Sequence, residues 1–172
     1  MNVNNTTVLS DKRGKYNSYS IEWEKAYFDE KNGGFNVYHK NHKFAKKGGG
    51  GEAEIIVGKM LAKYNGKQVE FLRESSYTKS PDIYFDDQTW DIKLIDNANE
   101  ETIRKAIRDA GKADNVIFYF TEKNKYALLN NAIVREAGRF LKGQTRAIPD
   151  IYIIDENGLL KLLWEKQKGL IK

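Results

Sequence analysis

Ser80-Pro81-Asp82-Ile83-Tyr84-Phe85-Asp86-Asp87-Gln88-Thr89-Trp90-Asp91-Ile92-Lys93 is the stretch on which the reading of this chain turns. Ile83 to Phe85 is made of strand formers, Asp86, Asp87 and Gln88 are turn formers, and Thr89 to Ile95 reads as a second strand. With Asp86 and Asp87 as a two-residue loop, positions summing to 173 face each other, which sets Asp82 opposite Asp91. Directly opposed residues have Cβ atoms roughly 4.5 to 5.5 Å apart, and like charges there repel. A cation would resolve the conflict. Because side chains alternate with period two, Lys93 shares a face with Asp91, while Trp90, Ile92 and Leu94 turn to the core. One sheet face then carries two carboxylates and an ammonium.

Around that hairpin, 172 residues suffice for one domain with a proper core. Zero cysteines exclude a disulfide framework and a thiolate metal site, and no apolar run has the length of a membrane span or a signal segment. No membrane partner is expected. A net charge of +5 and a pI near 9.2 suit a polyanionic partner.

Met1 to Tyr19 is rich in Asn, Ser, Thr and Lys without a period and reads as a linker or tail, which puts residues 1–26 outside a catalytic domain at 27–172. Ile21 to Phe28 is expected as a short helix, followed by a turn and a strand from Phe35 to His39. A basic loop, His39 to Lys47, runs into Gly48 to Gly51, read as a flexible joint. Glu52 to Tyr64 is predicted helical, with Ala53, Val57, Met60, Leu61 and Tyr64 on one face and Asn65-Gly66 as its stop. On that wheel Glu54 borders the apolar stripe and can look inward, whereas Glu52 lies beside Lys59 and Lys63 and looks at water. Val69 to Leu72 follows as a strand. Beyond the hairpin, Asn97 or Asn99 caps a helix from Glu100 to Ala113, and Val116 to Phe120 is a continuous apolar strand. Tyr126 to Leu141 gives another helix, and two strands close around Asn157 and Gly158. Strands alternating with helices make this an α/β fold, a mixed central β-sheet flanked by helices on both faces.

Oxygen ligands suit a hard divalent cation, so Asp82, Asp91 and the carbonyl of Ile92 are candidates to hold Mg²⁺ or Mn²⁺, with Glu54 completing the shell. Lys93 beside such a metal would position water and stabilise phosphate charge, at a lowered pKa. An Asp-any-Lys triplet alone is equally a salt-bridged strand edge; the proline, the opposed aspartates, the same-face lysine and the helix glutamate together favour a phosphodiesterase.

Those same residues carry a resemblance. Glu54 on a helix, a strand ending near Glu74, then Pro81, Asp82, Asp91, Ile92 and Lys93 look like the core of the PD-(D/E)xK nuclease superfamily, with Asp91 at the variable acidic position. More narrowly, Phe28 to Gly34, the helix with Met60, Leu61 and Ala62, the Ser80 to Lys93 hairpin and Asn115, Val116 and Ile117 resemble the C-terminal tRNase toxin domain of contact-dependent inhibition proteins. Similar domains are appended to phage head morphogenesis proteins. The resemblance spans about Tyr27 to Trp164. It implies a restriction-endonuclease-like core, Glu54, Asp82 and Asp91 as acidic metal ligands, and Lys93 as the catalytic lysine. It further implies an RNA substrate, tRNA first, a cognate immunity protein, and action in the cytoplasm of a target cell after delivery within a larger secreted protein. Many relatives carry a glutamine near the end of the helix after the lysine, where this chain has Lys112, which would make a phosphate contact instead.

His39 and His42 lack the cysteine or third nitrogen of a zinc site. They read as substrate contacts or merely exposed loop residues, or else as an acid and base, with Lys43, Lys46 and Lys47 of the same loop as substrate contacts. Arg104, Arg108 and Lys112 recur at spacing four, as either a solvated helix face or a phosphate-contacting one. Glu74 reads as an ordinary loop acid. Two other functions stay open: a DNA endonuclease of the same fold, and a non-catalytic nucleic-acid-binding or assembly module. Opposed aspartates that repel a polyanion argue against the module.

Overall fold

The computed structural model of the chain describes residues 3–44, 50–74, 80–96, 98–110, 113–120, 126–144, 148–155, 157–165 and 169–170. Its elements are helix α1 (Val3–Ser18), strands β1 (Trp23–Phe28) and β2 (Phe35–His39), helix α2 (Gly50–Asn65), strands β3 (Gln68–Phe71), β4 (Ile83–Phe85) and β5 (Gln88–Leu94), helix α3 (Glu100–Asp109), strand β6 (Asn115–Tyr119), helix α4 (Tyr126–Leu141), and strands β7 (Asp150–Ile154), β8 (Leu160–Glu165) and β9 (Gly169–Leu170). The nine strands of the described residues join one sheet in chain order. β2 runs parallel to β3, and β5, β6 and β7 are mutually parallel, while the other neighbours are antiparallel. The sheet is therefore mixed and the fold α/β, as the alternation of patterns implies.

Both faces are covered. Val57 and Leu61 of α2 pack on Val69, Phe71, Ile83, Phe85, Trp90, Ile92, Ile117 and Ile154. On the other side Ile103 and Ile107 of α3 and Leu129, Ala132 and Ile133 of α4 pack on Val116, Phe118, Ile151 and Ile153. β6 is thus buried from both faces, which is why its sequence is apolar without alternation. Each large side chain so buried contributes about 1.5–3 kcal/mol.

The hairpin register is the expected one, with Ile83 opposite Trp90, Tyr84 opposite Thr89 and Phe85 opposite Gln88. Asp86 and Asp87 both have positive φ, 51° and 58°, the backbone that a type I′ turn requires. Phe85 stacks on Trp90 with ring centroids 4.3 Å apart. Asn99, rather than Asn97, caps α3 by accepting from the Thr102 N–H, and that helix ends at Asp109, short of Ala113.

Three expectations fail. The segment read as a linker within residues 1–26 contains α1, which docks on the sheet: Tyr16 packs against Phe28 and Phe35, the Arg13 guanidinium lies 3.8 Å above the Phe28 ring, and Lys12 donates to the Asn32 carbonyl. Its inner face is Leu9, Lys12, Arg13 and Tyr16, so half of the helical stripe is written in cationic residues whose stems and charges do the packing, and an apolar period does not register. Ile21 to Phe28 is not a helix; Trp23 onward forms β1, because pairing with β2 overrides the helix formers Glu24, Lys25 and Ala26. Gly50 and Gly51, read as part of a joint, are the first turn of α2; Gly48 and Gly49 lie outside the described residues. Among the described residues no helix is long and apolar enough to cross a membrane.

Candidate active site

Beyond Ile83 the β4–β5 ladder continues with one backbone bond and then a side-chain one. The Asp82 N–H donates to the Trp90 carbonyl at 3.0 Å, and Asp82 Oδ2 accepts the Ile92 N–H at 2.7 Å. This folds the Asp82 carboxylate over β5 beside Asp91. Lys93 Nζ lies 3.1 Å from Asp91 Oδ2 and 4.0 Å from Asp82 Oδ2, so the ammonium partly neutralises the two carboxylates that the hairpin forces together. The start of β5 is pinned to β6 by Thr89, whose N–H and hydroxyl both donate to Asp114 at 2.9 and 2.7 Å.

One ammonium does not balance two carboxylates, one buried and one half-buried. Burial pushes the Asp82 carboxyl up to about 7, with Asp91 and Glu54 adding to the rise and Lys93 and the Ile92 N–H opposing it. Burial works to lower Lys93, but the fields of Asp82, Asp91 and Glu54 outweigh it and hold the ammonium above the ordinary lysine range. The carboxylate neighbours thus favour the cationic form of Lys93.

Glu54 is 8% exposed on the inner face of α2 whereas Glu52 is exposed, the phase read from the stripe. One turn on, Gly58 lets α2 lie close to β3, since a Cβ there would meet the Phe71 ring. Glu54 is bonded to a residue that the sequence places elsewhere: its Oε2 lies 3.0 Å from His42 Nε2, and His42 Nδ1 lies 2.7 Å from the Leu72 carbonyl. The His42 side chain is 3% exposed, which removes it from direct substrate contact in this conformation. Burial works against its charge, but the bonds to Glu54 and Leu72 raise its pKa overall. Nothing in the spacing of His42 and Glu54, on a loop and a helix twelve residues apart, announces this pair.

The remaining expected residues scatter. His39 is half-buried with its ring edge-on to Trp23, and Lys43 is exposed. Lys46, Lys47 and Lys112 lie outside the described residues. Arg104 and Arg108 are not a phosphate-contacting face: both donate at 2.8 Å to the fully buried Glu136 of α4, and both pair with Glu101. Glu74 is exposed, as an ordinary loop acid would be. Among the described residues no three His, Asp or Glu side chains are disposed as a metal-ligand group, so Glu54, Asp82 and Asp91 do not converge as one set of three. Asp82 and Asp91 meet through Lys93; Glu54 meets His42.

No family model matches the chain, and no curated protein does. Among solved structures, the CdiA-CT/CdiI toxin and immunity complex from Burkholderia pseudomallei matches at 18% identity and a TM-score of 0.43, over 64% of this chain and 83% of the other. A likeness that distant carries no weight for mechanism.

Proposed function

We propose that the chain is a metal-dependent nuclease with a PD-(D/E)xK-type site that cleaves RNA, tRNA first, and serves as a toxin effector domain. The observation that carries the reading is the meeting of Asp82, Asp91 and Lys93 at one end of the β4–β5 hairpin, with Glu54 near enough to act on the charge of Asp82 and Lys93. Burial, with the fields of Asp91 and Glu54 added, drives Asp82 to about 7; a hard divalent cation would offset both effects, and every donor is an oxygen. The two aspartates therefore suit Mg²⁺ or Mn²⁺, which Asp82 and Asp91 would hold, while Glu54, bonded to His42, would support the ion through its charge. Such an ion supplies an acidified water and charge stabilisation at phosphorus. Lys93, oriented by Asp91, places a fixed positive charge for a non-bridging phosphate oxygen. Exposed Lys40 and Lys43 flank the buried His42 and suit contacts along a phosphate backbone.

The motif resemblance is what favours tRNA, delivery into the cytoplasm of a target cell and a cognate immunity protein. Incubating the protein with total RNA and with plasmid DNA, each with Mg²⁺ or with chelator, tests the reading on one gel. Metal-dependent loss of tRNA is expected. Degraded plasmid with intact tRNA would turn the assignment to a DNA endonuclease, and no cleavage of either would leave the binding module.

A further inference from the structure

His42 sits in a position that neither a substrate contact nor a surface loop residue requires. Its two nitrogens are both committed, and chemistry assigns their roles. A carbonyl oxygen and a carboxylate both only accept, so Nδ1 donates to Leu72 and Nε2 donates to Glu54. Leu72 in turn donates its N–H to the Asp82 carbonyl at 3.0 Å. The bonds therefore run from Glu54 on α2, through the loop after β2, to the residue after β3, and on to the residue before β4. The ring is held edge-on by Phe44 at 4.6 Å and Phe71 at 5.3 Å, and Tyr38 packs edge-on to both, at 5.2 and 4.6 Å. Turning the imidazole away would empty an aromatic cluster and leave the Glu54 carboxylate and the Leu72 carbonyl without this partner.

We propose that His42 is a positioning residue, whose Nε2 contact fixes the Glu54 carboxylate relative to Asp82 and so sets the third acidic group of the site. The inference rests on the nuclease reading and adds to it a residue outside the acidic motif. It also gives the loop of Lys40 and Lys43 an anchor: the same imidazole that orients Glu54 holds the loop against β3. A carboxylate on a helix has rotamers to lose, and a partner that locks one of them is worth about 10- to 100-fold in metal affinity or activity.

Two near-isosteres separate this role from simple packing. His42→Gln places its amide nitrogen near the position of Nε2 and keeps a donor for Glu54, whereas His42→Asn places its nitrogen near Nδ1 and keeps a donor for Leu72. If His42 acts through Glu54, the Gln variant retains most of kcat on RNA, while the Asn variant loses about 10- to 100-fold in kcat with little change in KM. Equal losses in the two variants, or losses that follow melting temperature, would overturn the role and leave the nuclease reading standing. Calorimetric titration with Mn²⁺ alone gives a readout independent of cleavage: affinity falls about 10- to 100-fold in His42→Asn and holds in His42→Gln. Should the wild type cut no nucleic acid, the nuclease reading falls and the titration decides the inference by itself; no Mn²⁺ binding, or equal binding in all three proteins, overturns it. Should His42→Asn fail to fold, Mn²⁺ broadening of histidine resonances in the wild type decides. The His42 ring must broaden before that of His39, and an equal response overturns the proposal.

Discussion

Replacing Asp82 by Asn removes a charge that the fold accommodates poorly and keeps an oxygen to accept the Ile92 N–H. The Asp82 carboxyl stands at about 7 against a reference of 3.8, a rise of roughly three units at about 1.36 kcal/mol each. Ionising it in the folded chain therefore costs about 4 kcal/mol at most, and with the side chain 23% exposed, solvent screening brings this to about 2–4 kcal/mol. Because the folded value lies above the unfolded one, the native chain holds this proton longer. The group's contribution is fully present below about pH 4 and is lost as pH climbs through about 7. Urea unfolding of wild type and Asp82→Asn in chelator should give nearly equal stabilities at pH 4, a gap that widens with pH, and a variant more stable by about 2–4 kcal/mol at pH 8. Mg²⁺ or Mn²⁺ should then narrow the gap by binding the wild type more tightly. A gap that does not change with pH, or a variant less stable than wild type at pH 8, would refute the electrostatic account of this site.

Asp91→Ala should abolish RNA cleavage in a chain that still folds; undiminished turnover on total RNA would end the nuclease assignment. Glu54→Gln should cost far more activity than Glu52→Gln, since only Glu54 is buried beside the site, and the reverse order in a cleavage assay would contradict the phase of α2. Glu136→Ala leaves Arg104 and Arg108 without their shared buried carboxylate and should destabilise the chain by about 3–5 kcal/mol in urea unfolding, against a loss below about 1 kcal/mol if the network is only superficial. Neutralising Lys43, Lys46 and Lys47 together should flatten the salt dependence of RNA binding, each lost phosphate contact lowering the slope by about 0.7–0.9; an unchanged slope would remove the loop from the interface.

Short-range chemistry was legible in the residues themselves. The period-two alternation of β5 and the Asp86-Asp87 turn set the hairpin register, and the 3.6-residue stripe of α2 turned Glu54 inward and Glu52 out, because neighbours a few positions apart on one element share a geometry that the backbone dictates. Asp82, Asp91 and Lys93 could be placed together for the same reason. What depends on partners far along the chain was not legible. β1 is a strand only because β2 lies beside it, and α1 is a docked helix only because Phe28 and Phe35 receive Tyr16 and Arg13. Arg104 and Arg108 looked like a free basic face until α4 brought Glu136 beneath them. The same holds for His42. Its spacing marks a loop residue, and only the packing of that loop between α2 and β3 gives its two nitrogens Glu54 and Leu72 as partners, since a hydrogen bond is made by proximity in space and leaves no period in the sequence.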